Sequence, residues 1–297
     1  MRSVFFRLLI FIFPTICWFS SCVPQQKVLT HQQQLAVLDS QLLQHRANLQ
    51  KLDAKTQYKQ EQNEMDDTAS ARIRKYIGLA SADIDKLVTQ NKVLIGEVAV
   101  DRTDWVRLKK ALLLSTSTAK LVGDKVNFIN DLVNRNMVVR LDQDVFFEPG
   151  KYTVAPNVAG AIGKFFEPAA KEIDQFTQKY PDFPLSLVIT AKGYADGTSI
   201  AEGTSLYKDL VEDLKLSNSK PDNLALNKQL SRRRAQSVIE LFQRYTKDRS
   251  TMGGSVRNIL FLTEGKGDAL PDPKINDYTV NDARRRIVLL FWSVFPE

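Results

Sequence analysis

From about residue 25 to residue 136 the apolar positions recur at helical spacing. Leu35, Leu38, Leu42, His45, Leu49 and Leu52 fall on a heptad in which His45 is the one polar member. A second run comprises Ile84, Leu87, Asn91, Leu94, Val98, Asp101, Trp105, Leu108 and Leu112, apolar at all but Asn91 and Asp101. Both runs predict coiled-coil-like helix. Between them the polar stretch Gln60–Ser70 predicts a hinge or turn, and Gln25–Gln34 reads as a short tether. A helix from Lys27 to Lys59 would be roughly 50 Å long at ~1.5 Å per residue, so this half could act as a spacer. Two arrangements stay open: an antiparallel hairpin within one chain, or pairing of either helix with a partner chain. Asn91 either fixes the register of the seam or is a single tolerated polar residue.

Beyond residue 136 the pattern changes. Met137–Leu141 and Asp144–Phe147 read as strands. Val158, Ile162, Phe165, Phe166, Ala169, Ile173 and Phe176 share one face of a helix over Val158–Lys179, ended by Pro181 and Pro184. Leu185–Ala191 is a strand, Asn223–Thr246 a second long helix, and Asn258–Thr263 a strand. Arg286–Val294 is a nearly continuous apolar run, as a strand covered on both faces requires. The expected fold class is α+β: an N-terminal helical stalk, residues 22–136, followed by residues 137–297 as an α/β sandwich with a mixed sheet and helices packed on it.

Composition sharpens the division. No proline lies between Pro24 and Pro149, and that stretch holds only Gly78, Gly96 and Gly123, whereas ten glycines follow from Gly150 onward. Helix breakers are therefore concentrated where turns are needed. At 43% hydrophobic and 25% charged the chain can bury a sizeable core. The only cysteines are Cys17 and Cys22 and the only histidines His31 and His45. The C-terminal half thus holds no disulfide, no Cys/His metal site and no Ser-His-Asp or Cys-His catalytic set, and no cofactor is expected. A hydrolase would have to work with carboxylates alone, and sequence singles out no pair such as Glu148 and Asp196 for that role. The formal net charge is +7, mildly basic and compatible with an acidic polymer or a membrane surface.

The first 21 residues read as a secretory leader. Arg2 and Arg7 precede the short apolar stretch Leu8–Trp18, too short to span a bilayer and interrupted by Pro14. Phe19-Ser20-Ser21-Cys22 resembles a bacterial lipobox, with Phe19 where leucine is more usual. That resemblance implies acylation of Cys22 (a palmitate-type modification) and attachment to lipid. Val23, where an Asp would retain some lipoproteins in the inner membrane, points to the outer membrane, facing the periplasm. Export makes a nucleic-acid partner unexpected.

Two segments carry candidate chemistry: Gly193-Tyr194-Ala195-Asp196-Gly197 at the end of a strand, and Asn227 to Ala235 (NKQLSRRRA) on a helix. Asn227, Leu230, Ser231 and Arg234 share one helical face. The pair resembles the C-terminal peptidoglycan-binding domain of the OmpA family, also found in the peptidoglycan-associated lipoprotein. The family's N-x-x-L-S-x-x-R-A is matched by Asn227, Leu230, Ser231, Arg234 and Ala235. Its G-H-T-D is matched only at Gly193 and Asp196, with Tyr194 and Ala195 replacing His and Thr. Phe147-Glu148-Pro149-Gly150 resembles the opening F-D-x-G, and Arg285-Arg286-Ile287 the closing R-R-V. The resemblance covers about residues 137–295.

It implies a ligand, the diaminopimelate of the peptidoglycan stem peptide, whose side-chain end carries an ammonium and a carboxylate. Asp196 would accept the ammonium and Arg234 hold the carboxylate through its fork of donors. Backbone N–H groups near Phe147 and Glu148, or at the start of the Asn227 helix, would hold a further carboxylate. Read without the family, Asp196-Gly197 is a turn signal, Arg232 and Arg233 are solvated, Asn227 and Ser231 brace local backbone, and one arginine of the Arg284–Arg286 run is partly buried in an ion pair. Tyr194 either keeps a polar tip at the groove or packs. Asp196 and Arg234 stand further apart in sequence than is usual in the family. The excess, about residues 199–222, contains a predicted short helix, Ser205–Lys215, as a lid, a partner-binding element or a passive insertion. The favoured function is a non-catalytic anchor tethering the outer membrane to peptidoglycan. The alternative is a structural subunit of an envelope-spanning secretion or motility assembly that uses the stalk and insertion for protein contacts or self-association.

Overall fold

The computed structural model describes residues 25–96, 102–135, 137–142, 146–148, 150–154, 158, 161–181, 183–215, 220–247 and 256–296. The leader, Cys22 and the proposed strand residues 144 and 145 lie outside these. The elements are α1 (Gln25–Glu61), α2 (Asp67–Ile95), α3 (Arg102–Asn134), β1 (Val138–Asp142), α4 (Ile162–Lys179), β2 (Leu185–Gly193), α5 (Ser205–Leu214), α6 (Asn223–Lys247), β3 (Val256–Gly265) and β4 (Ile287–Pro296). The chain is α+β, helices first and a mixed sheet after. Among the described residues no helix is long and apolar enough to cross a membrane.

Two compact units form. Among the described residues, one comprises those up to residue 52 with those of 76–130, the other those of 53–75 with those from 131 onward. The expected division near Asn136 therefore leaves out one segment: residues 53–75 group with the sheet.

In the first unit, parts of α1, α2 and α3 pack up, down and up within the one chain. Val28 and Leu35 of α1, Leu94 of α2 and Leu108 of α3 form one cluster at one end. Tyr76 and Phe128 meet edge-to-face, ring centroids 6.3 Å apart, at the other. The heptad leucines 35, 42, 49 and 52 are buried as expected. The second run is not one seam. It is divided between α2 and α3, which run in opposite directions, and Val98 and Asp101 lie outside the described residues. Asn91 is more than a tolerated residue. Its amide donates to Asp39 Oδ1 at 2.7 Å and its carbonyl accepts from Ser115 Oγ at 2.7 Å, joining one residue from each helix in a buried network. Such a network is satisfied in one register only.

In the second unit the sheet order is β1-β4-β2-β3, with β2 and β3 parallel and the other pairs antiparallel. β4 is central and buried on both faces, the arrangement its unbroken apolar run requires. One face carries α4 and α6, where Phe166 and Phe242 meet edge-to-face at 5.0 Å. The other meets the segment 53–75. There the Lys192 ammonium, 3% exposed, lies 3.1 Å from both Asp66 and Asp67 and 5.3 Å from the centre of the Phe291 ring. Burial pushes the Lys192 pKa down, but the two aspartates outweigh it and the group is held above its ordinary value. Asp66 also accepts the Thr68 N–H at 3.0 Å, capping α2. Within the expected stretch Gln60–Ser70 the turn is residues 62–66, its flanks belonging to α1 and α2, and Asp66 and Asp67 serve a buried lysine that sequence pattern does not link to them.

Candidate functional site

The site begins with a close approach of backbones. Gly193 ends β2 opposite Gly265 of β3, and α6 crosses over both. A Cβ on Gly193 would lie 2.0 Å from the Ser231 carbonyl oxygen, and one on Gly265 2.2 Å from that of Lys228. Only glycine permits this contact. Ser231 then locks it: its hydroxyl donates to the Lys228 carbonyl at 2.9 Å and accepts the Gly267 N–H at 3.0 Å. At the start of α6, the Asn227 amide donates to the Asp196 and Thr198 carbonyls at 3.2 and 3.3 Å. Asn223 Oδ1 accepts the Ile200 N–H at 3.0 Å. The first turns of α6 thereby hold the loop that presents Asp196.

Asp196 Oδ1 accepts the Thr198 N–H at 3.1 Å, and Oδ2 accepts from Arg286 Nη1 at 2.9 Å. Burial alone would raise the carboxyl pKa. The Arg286 hydrogen bond, the Thr198 bonds and the arginine's charge outweigh it and hold the group below its ordinary value, so it is a carboxylate. Arg234, three residues beyond Ser231, is largely buried; its Nε donates to the Lys151 carbonyl at 3.1 Å and its guanidinium lies 5.4 Å from the centre of the Phe147 ring. Phe147 is fixed by an antiparallel bridge to Val154, and Glu148 is exposed on the same turn.

All five residues expected from sequence, Phe147, Glu148, Asp196, Asn227 and Arg234, line one open cleft of about 680 Å³. The fold closes the 38-position gap between Asp196 and Arg234, and each of the five has a distinct part. Asp196 and Arg234 offer opposite charges, Phe147 supports the guanidinium, Glu148 adds an exposed carboxylate, and Asn227 braces the loop. Two cations that sequence did not assign to the site also line it, Lys151 and Arg286. Arg286 is the ion-pairing arginine expected from the Arg284–Arg286 run, but the carboxylate it pairs with is Asp196 itself. Arg285 is the buried member, donating to the carbonyls of Thr279, Val280 and Asp268.

The insertion is a wall of the cleft and leaves it open. Residues 198–201 and 204–206 line it. Its helix α5 is pinned by Leu210, fully buried against Leu226 and Leu230 of α6 with Tyr152 and Leu206 alongside. Asp213 of α5 accepts a two-pronged hydrogen bond from Arg233 and one from Gln229 at 3.1 Å. Arg233 is therefore committed to the insertion and is not a solvated arginine. Tyr194 packs: it is 2% exposed, in a cluster with Ile287, Leu289 and Phe291 on the sheet face away from α6. Burial and the nearby acids raise its pKa.

No protein-family model matches the chain. No curated protein matches it significantly. Among solved structures, a similar chain is the periplasmic domain of Helicobacter pylori MotB, residues 78–256, at 16% identity and a TM-score of 0.27. The match covers 52% of this chain and 74% of that one. A likeness this distant carries no functional argument, so the reading of the site rests on its geometry together with the motif resemblance of residues 137–295.

Proposed function

We propose that the protein is a non-catalytic anchor whose cleft grips the diaminopimelate of peptidoglycan stem peptides, with acylated Cys22 holding the other end of the chain in the outer membrane. The observation that carries this reading is the meeting of Asp196 and Arg234 in one open cleft. A zwitterionic amino-acid end needs an anion and a cation on facing walls, and both charges are present at neutral pH. Arg286 and Lys151 make the cleft richer in cations than in anions, which suits a ligand bearing more carboxylates than amines. The cleft exceeds a single amino-acid terminus in size, so a neighbouring peptide residue would lie along the wall made by the insertion. Co-sedimentation with purified sacculi tests the reading. The chain is expected to pellet with diaminopimelate-type walls and weakly with lysine-type walls, which lack the second carboxylate. Equal binding by Asp196→Ala, by Arg234→Ala and by the parent would overturn it.

A further inference from the structure

One surface of the helical unit is apolar, exposed and ringed by cations. On α3, Val106, Leu113, Leu114 and Leu121 are between 55% and 73% exposed. At ~100° per residue they fall within about 100° of arc, a stripe some 22 Å long at ~1.5 Å per residue that exposed Lys110 and Ser117 interrupt. None of them belongs to the cluster that α3 buries through Leu108. Lys110, exposed, lies in the middle of the stripe; Arg107 borders it on one side, and Lys109 and Lys120 on the other. Among the described residues the acids nearby are Asp104, paired with Arg107 at 3.4 Å, Asp124, one turn past the far end, and Asp83 of α2, paired there with Lys125 at 3.1 Å.

We infer that this face of α3 docks on an anionic phospholipid surface, its leucines entering the headgroup boundary and its lysines meeting the phosphates. The pattern of cations around an apolar stripe is that of interfacial helices. A second copy of the chain fits poorly. Antiparallel pairing that sets Val106 against Leu121 also sets Arg107 against Lys120, and parallel pairing sets each lysine against its own copy, so both juxtapose like charges. An acidic protein would satisfy the same charges, but position favours lipid. The stripe starts at the end of the unit where α1 begins: His31 stacks edge-on against Trp105 at 4.7 Å, and Val28 shares a cluster with Leu108. Val28 is six residues from Cys22, a reach of at most ~20 Å at ~3.5 Å per residue. That choice of occupant rests on the acylation of Cys22; the charge and apolar pattern do not. A unit lying on the bilayer in this way does not stand out from it as a spacer.

The test is flotation of the chain from residue 22 onward carrying Cys22→Ser, which retains every described residue and cannot be acylated. Vesicles of phosphatidylcholine alone are compared with vesicles that also contain phosphatidylglycerol. Binding is expected only to the anionic vesicles and is expected to fall with added salt. Lys110→Ala and Lys120→Ala should each weaken it about fivefold, and Leu113→Glu about tenfold or more. These residues are exposed, so the variants fold; Leu79→Glu, on an exposed position of α2, serves as the control that leaves binding unchanged. Absence of flotation, equal flotation with neutral vesicles, or binding indifferent to all three α3 variants overturns the inference. So does a dimer in solution that Leu113→Glu dissociates while vesicles capture nothing. Failure here leaves sacculus binding untouched, since no α3 residue named lies in the cleft.

Discussion

Gly193→Ala places a Cβ 2.0 Å from the Ser231 carbonyl oxygen, 2.8 Å from its carbonyl carbon and 3.3 Å from its Cα. Ordinary contact begins near 3.4 Å, so strand and helix must separate by more than ~1 Å, and both obstacles are backbone that no rotamer change can relieve. Overpacking of this kind costs about 1–3 kcal/mol, here at the upper end. For a domain of this size each kcal/mol lowers Tm by about 2–4 °C, giving a fall of about 6–12 °C. The same displacement moves Arg234, three residues past Ser231, relative to Asp196, three residues past Gly193, and charge-assisted hydrogen bonds to a shared ligand tolerate little of it. Thermal unfolding by circular dichroism and sacculus co-sedimentation read the two effects separately. Gly265→Ala, whose Cβ would meet Lys228 at 2.2 Å, should behave alike. Gly78→Ala, in open space within α2, should stabilise by up to about 1 kcal/mol. If Gly193→Ala melts and binds like the parent, the close approach does not hold the cleft and the argument for how the two charges meet is wrong.

Lys192→Met should cost about 3–5 kcal/mol in chemical denaturation, because it leaves the buried Asp66 carboxylate without its cation. The parent's stability from Lys192, whose pKa is raised in the fold, is fully present below pH 10.5 and lost only as pH rises through that raised value. Asp39 shows the opposite sign for an acid. Burial raises its pKa more than the Asn91 hydrogen bond and the Lys92 charge lower it, so the helical unit should gain stability as pH falls through Asp39's raised value, the gain being complete below pH 3.8; Asp39→Asn, which keeps an acceptor for Asn91, should raise Tm at pH 7 and abolish that gain. Arg286→Gln should raise the Asp196 pKa, read by carboxyl NMR titration, and weaken wall binding; an unmoved titration would show that Arg286 does not set the charge of Asp196. In the parent, Asp196's contribution to stability should persist from neutrality down to pH 3.8 and be lost only below it, as its depressed pKa is crossed.

Local periodicity made much of this fold legible. Most of the long helices, the strands expected over Leu185–Ala191 and Asn258–Thr263, the central position of β4 and even the short helix of the insertion follow from apolar spacing and turn residues, because burial on one face or two imposes that spacing wherever the element lies; Gln25–Gln34, expected as a tether, is instead the start of α1. The five residues that line the cleft have a different origin: a motif resemblance names them, and the fold brings them to one place. Errors arose where two elements share a pattern. A heptad phase continued across a reversal of direction, so α2 and α3 read as one seam.

Partners of polar groups were out of reach of any such pattern. Asn91 has the same place in the sequence whether or not Asp39 and Ser115 meet it. The acids at 66 and 67 read as a solvated turn until Lys192, more than a hundred residues later, is seen to be buried above them. Arg286 pairs with the carboxylate expected to wait for a ligand, and Arg233 ties down the insertion. Burial pattern is a property of one element, encoded in consecutive residues. Which charge meets which depends on how distant elements stack, and that is decided only when glycines such as Gly193 and Gly265 let a helix settle onto the sheet.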